Sequence, residues 1–154
     1  MANSGVAGYI GGGTNPTNSR TNVIDKITFT GDTKTSLAAT LTAAVRNQAA
    51  MANSGVAGYF AGGDLGSSYT STIDKITFSA DTKTTLSATL TSALQSAGGM
   101  ANSGVAGYIG GGGASSSTSG IDKITFSADT KTTLSATLTT ARNYAAGFAD
   151  SGTL

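Results

Sequence analysis

The segment IDKITF occurs three times, and its apolar and polar residues follow a period of two, which is typical of a β-strand with two distinct faces. In the second copy the predicted faces hold Asp74, Ile76 and Phe78 on one side and Ile73, Lys75 and Thr77 on the other. The preceding stretch VAGYFAGG, residues 56–63, is predicted to be a strand ended by glycines, and NSG at 53–55 a tight turn. These patterns predict two strands of each repeat.

A third pattern follows, in which TTLSATLT at 84–91 alternates Leu and Ala with Ser and Thr. We interpret it as a strand, and the small residues of 92–102 as a connection with a further short strand. The four-residue spacing of Leu86, Leu90 and Leu94 also fits an amphipathic helix. The density of Thr and the pair Gly98 and Gly99 favour strands. The chain is therefore predicted to be all-β, with four strands per repeat.

The cassette MANSGVAGY marks the repeats, at 1–9, 51–59 and 100–108. It defines one repeat domain over 1–154, with repeats 1–50, 51–99 and 100–147, and FADSGTL at 148–154 resembles the start of a fourth copy. Length varies between the Gly cluster and the Ile that opens IDKITF, whereas the rest of each repeat keeps its length. A packed strand cannot absorb an insertion without a shift of register, so this variable stretch is predicted to be a surface loop.

Charged residues make up 11% of the chain and the net charge is +1, so the sequence has no excess of positive charge of the kind that binds nucleic acid or an anionic membrane. No apolar run approaches the length of about 20 residues that a membrane span needs. Most charges lie in the repeated IDKITFxxDTK. We expect Asp32, Asp81 and Asp129 to shape β-turns, and the repeated Asp25–Lys26 pairs to make contacts between neighbouring repeats.

Reactive residue types are scarce, because the chain has no His and no Cys. This removes the commonest general base, the thiolate nucleophile and the usual transition-metal ligands. The Asp residues recur in threefold sets, whereas an active site is normally one asymmetric constellation. Tyr9, Tyr59 and Tyr108, each followed closely by glycines, are interpreted as core residues rather than stacking platforms. We predict a non-enzymatic protein with no catalytic residue, cofactor or metal.

Two runs carry a resemblance to a known family: RNQAAMANSGVAGYFAGG at 46–63 and IDKITFSADT at 73–82. They resemble the kelch repeat, and are more similar still to the GYxxGG…IDxIxFSxDT repeats of phage and bacterial surface or tail proteins. The chain departs from kelch repeats in having no Trp, with Leu37, Leu86 and Leu134 nearest its place. The kelch Arg is Arg46 in one repeat, becomes Gln95 in the next and lies one residue earlier, as Arg142, in the last.

The resemblance implies that each repeat is a four-stranded blade of a β-propeller, a fold that needs about four to eight blades. Three blades would form half of a six-bladed β-propeller closed by a second chain. The expected partner is the chain itself, as a homodimer or higher ring, with the tail Arg142 to Leu154 of one copy against the first blade of another. A monomeric β-trefoil or β-prism is the alternative. A trefoil usually carries a large apolar residue on every strand, whereas the first strand here is Ala, Met and Gly.

The variable loops at 12–23, 62–72 and 111–120 are predicted to share one side of the molecule with the connections between repeats. They supply the candidate ligand-binding residues Asn15, Asn18, Arg20, Arg46, Asp64, Tyr69 and Arg142. One predicted function is a recognition module of a virion tail or bacterial surface, extracellular or on the virion, that binds glycan or protein through these loops. The alternative is a structural, self-assembling repeat protein, natural or designed. The identity of residues 73–91 with 121–139 favours the alternative.

Overall fold

The computed structural model describes residues 1–147, and in this part of the chain it contains twelve β-strands and no helix. Sheet 1 consists of β1 (Ala2–Asn3), β2 (Ala7–Gly11), β3 (Ile24–Thr28) and β4 (Thr33–Ser36). Sheet 2 consists of β5 (Ala49–Asn53), β6 (Ala57–Ala61), β7 (Ile73–Thr77) and β8 (Thr82–Thr85). Sheet 3 consists of β9 (Gly98–Asn102), β10 (Ala106–Gly110), β11 (Ile121–Thr125) and β12 (Thr130–Thr133). The prediction of an all-β chain with four strands per repeat is confirmed.

Each sheet is an antiparallel meander, in which every strand pairs with the next one along the chain. In sheet 2, Tyr59 lies opposite both Met51 and Lys75, and in sheet 3 Tyr108 lies opposite Met100 and Lys123. Directly opposed residues of an antiparallel pair share a face. Each repeat therefore places a Met, a Tyr and a Lys side by side on one face of its sheet.

The sheets pack face to face in chain order, and their first strands lie closest together. β1 lies against β5 and β6, and β5 lies against β9. The approach of β5 and β9 depends on small residues, because a Cβ added to Gly99 would overlap the carbonyl oxygen of Ala50. The fourth strands β4, β8 and β12 lie at the opposite edges and are mostly exposed.

Two apolar clusters form the core, one for each pair of neighbouring sheets. Between sheets 1 and 2 the buried residues are Ala7, Tyr9, Ile24, Leu41, Val45, Phe60, Ile76 and Phe78. Sheets 2 and 3 share Tyr59, Ile73, Leu86, Leu90, Leu94, Ile109, Ile124 and Phe126, with five Ala and Met51. Ile76 and Phe78 thus face sheet 1 and Ile73 faces sheet 3, which confirms the predicted faces of IDKITF. Tyr9 and Tyr59 are core residues, as predicted, whereas Tyr108 is only half-buried because no further sheet covers it among the described residues.

The predicted strand at 84–91 is wrong. β8 covers Thr82–Thr85, and Leu86, Leu90 and Leu94 are buried from an irregular connection that follows it. Their amides donate to the carbonyls of Ile73 (2.9 Å), Ser71 (2.9 Å) and Thr70 (3.2 Å) respectively. The connection therefore runs back along the start of β7 and turns one Leu inward at every fourth residue. This packing accounts for the spacing that also fitted a helix.

The turn prediction for Asp32, Asp81 and Asp129 is confirmed, since these residues adopt positive φ angles of 50°, 52° and 53° in the turns after β3, β7 and β11. Asp tolerates this left-handed conformation better than most residues with a side chain. The Asp backbone conformation is therefore the same in all three repeats, while the turn of the first repeat has a second positive φ, of 95°, at Gly31.

Candidate functional site

The contacts between neighbouring sheets recur at equivalent positions, and we call the packing of sheet 1 on sheet 2 the first junction and that of sheet 2 on sheet 3 the second junction. At the first junction, Tyr9 Oη donates to Asp81 Oδ1 (2.8 Å) and Lys26 Nζ donates to Asp81 Oδ2 (2.7 Å). The Tyr9 ring also stacks on Phe78, with ring centres 4.9 Å apart. One sheet thus supplies two donors and a ring, and the next sheet supplies the carboxylate and the second ring.

The second junction repeats this cluster. Tyr59 Oη donates to Asp129 Oδ1 (2.9 Å), Lys75 Nζ donates to Asp129 Oδ2 (2.6 Å), and the rings of Tyr59 and Phe126 stack at 5.2 Å. The predicted Asp–Lys contacts between repeats are therefore present, but the carboxylate is the turn Asp81 or Asp129 and not the Asp next to the Lys. The turn carries its carboxylate across to the neighbouring sheet, which the strand pattern alone did not show.

The protonation states of the cluster follow from its partners. Burial, followed by the hydrogen bond to Asp81, raises the pKa of Tyr9, and burial followed by the bond to Asp129 raises the pKa of Tyr59. The bond to Asp81 raises the pKa of Lys26. The phenols and the ammonium group keep their protons at neutral pH, so they act as fixed donors and not as acceptors of a proton. The cluster therefore joins two sheets through hydrogen bonds whose donors stay protonated at neutral pH.

A second polar contact lies on the other face of the IDKITF strand. Asp74 is buried and accepts hydrogen bonds from the Thr42 amide (2.7 Å) and Thr42 Oγ1 (2.6 Å), across the first junction. Thr91 makes the same two bonds to Asp122 at the second junction, at 2.7 Å and 2.6 Å. A buried carboxylate needs such donors to offset its lost hydration. This explains why Asp occurs in the middle of an otherwise apolar face.

Each junction also contains an apolar seat, by which we mean a Gly whose missing side chain leaves room for a Met of the neighbouring sheet. A Cβ added to Gly58 would overlap Met1 Sδ, and one added to Gly107 would overlap Met51 Sδ. The Met of one sheet therefore fills the space left by the missing side chain in the next sheet. Sequence reasoning placed these residues in the cassette but did not pair them, because the pairing joins different repeats.

The loop residues Arg20, Arg46 and Asp64 meet at the first junction. Arg20 Nη2 lies 3.1 Å from both carboxylate oxygens of Asp64, and Arg46 Nε donates to Oδ2 at 2.8 Å. The Gly66 amide donates to Oδ1 at 2.6 Å. Burial acts to raise the pKa of Asp64, but Arg46, the Gly66 amide and Arg20 outweigh it, so its pKa lies below the ordinary value. Three of the candidate ligand-binding residues are thus bonded to one another.

Substitution Asp64→Asn is expected to lower the free energy of unfolding at pH 7 by about 2 kcal/mol, because charge-assisted hydrogen bonds are lost. A folded pKa below the unfolded one adds stability above the unfolded value of about 3.9, and that stability is lost as the pH falls through the folded pKa. Urea unfolding of the wild type and the variant should therefore converge below about pH 4.

The variant Arg20→Gln with Arg46→Gln is the matched control, since it leaves the Asp64 carboxylate buried without its cations. Its stability should fall as the pH rises, because an unpaired buried carboxylate favours its protonated form. An Asp64→Asn protein that stays as stable as the wild type at pH 7 would contradict the structural role of this ion pair.

Of the remaining candidates, Tyr69 lies beside this cluster, whereas Asn15, Asn18 and Arg142 make other contacts. Asn15 Oδ1 accepts hydrogen bonds from the Thr17 and Ser19 amides (3.1 Å and 2.9 Å), and Asn18 adopts a positive φ of 58°, so both shape their own loop. Tyr69 is half-buried and pairs with Asp64 through a β-bridge, which brings it to the first junction. Arg142 is exposed and donates to the Thr140 carbonyl at 3.4 Å, far along the chain from the others.

The loops and the connections between sheets share one side, as predicted. The amides of Gly13, Gly63 and Gly112 donate to the carbonyls of Val45, Leu94 and Arg142 at 2.8, 2.7 and 2.8 Å, so each loop base is bonded to the connection that follows its own sheet. The described tail residues belong to a different series of bonds, between successive connections: the Ser96 amide donates to the Asn47 carbonyl at 2.7 Å and the Tyr144 amide donates to the Ser96 carbonyl at 2.8 Å, so this part of the tail lies against its own chain. The predicted fourth-copy segment 148–154 lies outside the described residues.

The first strands of the three sheets enclose an open cavity of about 470 Å³. Its lining includes Met1, Ala52, Ser54 and Ala101, and none of the described residues that line it has a charged side chain. Within residues 1–147, no three His, Cys, Asp or Glu residues are placed to hold a metal ion, and no helix is long and apolar enough to cross a membrane. No protein-family model and no curated protein matches the chain.

Proposed function

We propose that this protein is a non-enzymatic, self-assembling structural repeat protein, in which three kelch-like blades form half of a six-bladed β-propeller closed by a second copy. One observation carries the proposal: the same set of junction contacts occurs twice within the chain, and the two outer sheets each present one unused half of that set. The face of sheet 3 that would meet a fourth sheet carries Met100, Tyr108 and Lys123, while sheet 1 presents Phe29 and Asp32 on its outer side.

The arrangement of the sheets supports a propeller over the alternatives. Each sheet is a four-stranded meander whose first strand lies among the other first strands and whose fourth strand is exposed, as blades around a central axis require. A monomeric trefoil or prism would bury the outer faces of the first and third repeats against each other. Here Ile10, Phe29 and Met100 are exposed instead.

A recognition function of the loops, on a virion or bacterial surface, remains a prediction with less support. The loops share one side of the molecule and differ between repeats. However, Arg20, Arg46 and Asp64 are bonded to one another, and Asn15 is bonded within its own loop. Because these polar groups already have partners in the fold, the proposed function rests on assembly.

Native mass spectrometry and small-angle scattering of the purified chain test the proposal. We expect two chains per particle at micromolar concentration, with the scattering profile of a flat, closed ring that has a central hole. A stable monomer would contradict self-assembly. A ring of three chains, or a filament, would contradict the six-bladed closure.

A further inference from the structure

We propose that two copies dock head to tail through sheet 3 of one and sheet 1 of the other, with Lys123 paired to Asp32, Tyr108 stacked on Phe29 and Met100 seated on Gly8. This inference rests on the proposed function and deepens it by naming the contacts that close the ring. The partner is a second copy of this chain, because the two faces are the two halves of a contact set that the chain already uses twice.

The outward face of sheet 3 carries the donor half of a junction. Met100 is 42% exposed, whereas Met51 at the equivalent position is 4% exposed. Tyr108 is only half-buried, although Tyr59 is 1% exposed. Lys75 reaches a carboxylate of the next sheet, but no acidic side chain among residues 1–147 lies within 4.0 Å of Lys123 Nζ. The Met, Tyr and Lys of this face share the cross-strand register of sheet 2 and are ready to meet a further sheet.

The outward face of sheet 1 carries the acceptor half. Phe29 is 46% exposed, whereas Phe78 is buried against a Tyr ring at 5%. Ile10 is 65% exposed, whereas Phe60 at the same position is 6% exposed. Asp32 has a φ of 50°, which matches the 52° of Asp81. The Asp of the free turn therefore already has the backbone conformation of the docked Asp81, although Gly31 before it has a φ of 95° and Ala80 at the equivalent position has no positive φ.

Gly8 supplies the seat for the Met of the partner. It is equivalent to Gly58 and Gly107, whose missing side chains make room for Met1 and Met51. At Gly8 a Cβ would meet the Phe29 ring at 3.4 Å and the Met1 carbonyl at 4.0 Å, so no Met occupies its seat within the chain. Met100 of a second copy has the size and position to fill it.

The two faces are complementary in charge as well as in shape. The donor half presents Lys123 and the acceptor half presents the exposed Asp32, whereas Asp25 on the same side already pairs with Lys34 at 3.4 Å. Opposite charges across an interface fix its register, and like charges oppose docking. Because the faces differ, the contact is heterologous and closes a ring when the rotation between chains allows it.

Charge reversal in separate chains tests these contacts. Lys123→Asp and Asp32→Lys are prepared as two full-length proteins and measured by analytical ultracentrifugation, alone and as an equimolar mixture. Each variant alone places like charges at both junctions of a dimer, so we expect its dissociation constant to rise about 100-fold. The mixture restores one reversed pair and one native pair, so we expect a 1:1 heterodimer within about threefold of the wild-type affinity.

The controls separate charge from contact. Ser115→Asp with Ser116→Asp, and Ser115→Lys with Ser116→Lys, change the net charge on an exposed loop by the same amounts and should dimerise like the wild type. Circular dichroism must show that each variant is folded. Met100→Asp, an exposed position, gives a second route to the same interface and should also yield a monomer.

Dimerisation of both charge variants alone at wild-type affinity would overturn the proposed contacts, while a two-chain ring would still support the proposed function. A mixture of folded variants that stays monomeric would overturn the contacts too. A wild-type filament that Lys123→Asp dissociates and the mixture restores would support the contacts and remove the six-bladed closure. A wild-type three-chain ring that each variant alone dissociates would do the same, although the mixture would not restore it, because two alternating variants leave one like-charge junction in a ring of three. A wild-type monomer would overturn both proposals.

Discussion

Substitution Tyr59→Ala should lower the free energy of unfolding by about 3–5 kcal/mol, the cost of a large aromatic deleted from a packed core. Tyr59 is 1% exposed, stacks on Phe126 and donates to Asp129, so its loss leaves a cavity and removes one bond that joins sheets 2 and 3. The second junction contains most of the buried residues of sheet 3, and we expect the strands of that sheet to lose protection first.

Tyr108→Ala is the matched control, because it deletes the same side chain from the same position of the next repeat. Tyr108 makes no stack with Phe or Tyr among the described residues, so the expected loss within a single chain is below about 1 kcal/mol. Urea unfolding at a chain concentration low enough to dissociate a dimer measures both effects. Equal losses for the two variants would contradict the view that Tyr59 acts through the junction.

Tyr59→Phe separates the ring from its hydroxyl. The stack on Phe126 and the filled volume remain, and Asp129 keeps the Lys75 ammonium at 2.6 Å. We therefore expect a loss of about 1 kcal/mol, the net value of one hydrogen bond. A loss of stability as large as that of Tyr59→Ala would mean that Tyr59 stabilises the junction mainly through its bond with Asp129 and not through packing.

The strands that carry these residues were predictable because their side chains alternate. β6, β7 and β9 lie within the segments that the sequence indicates, and the buried position of Tyr59 followed from its place before glycines. β8 was misplaced because Leu86 and Leu90 are buried from a connection rather than a strand. Periodicity reports which residues turn inward, but a connection bonded to a neighbouring strand produces a similar pattern.

The partners across each junction were not predictable from the strand pattern, because they belong to different repeats. Lys75 stands next to Asp74 in the sequence, yet it pairs with Asp129, 54 residues away. When two sheets pack, the turn of the second sheet lies over a strand of the first. The sequence of a single repeat does not show this contact between repeats.

The sequence contains a signal for the ion pairs of Asp64 with Arg20 and Arg46, which was not interpreted as a contact. Asp64 stands where the other repeats have Thr14 and Gly113, and within the three repeats it is the acidic residue that breaks the threefold pattern. Arg20 and Arg46 break it with the opposite charge in the repeat before. Departures of opposite sign in neighbouring repeats indicate a contact between those repeats, and here that contact is the buried carboxylate with its two guanidinium groups.

Gly99→Ala and Gly110→Ala should differ sharply in their effect on stability, although each introduces the residue that the previous repeat has at the same position. Gly99 corresponds to Ala50 in the previous repeat, and Gly110 corresponds to Ala61. A Cβ on Gly110 would meet the Ile121 side chain at 3.5 Å, an ordinary contact, whereas a Cβ on Gly99 would overlap the backbone carbonyl of Ala50. Backbone atoms of a packed strand cannot move aside as the end of a side chain can.

We therefore expect Gly99→Ala to lower the free energy of unfolding by about 3 kcal/mol, the upper range for an overpacked core, and Gly110→Ala to change it by less than about 0.5 kcal/mol. Thermal and urea unfolding of both variants measures the difference. The difference arises because β5 lies on the side of β9 toward which a Cβ of Gly99 would point, and the backbones of β5 and β9 are in contact there. Equal stability of the two variants would mean that β5 and β9 do not pack this closely. It would then also contradict the close approach of the first strands, on which the proposed ring depends.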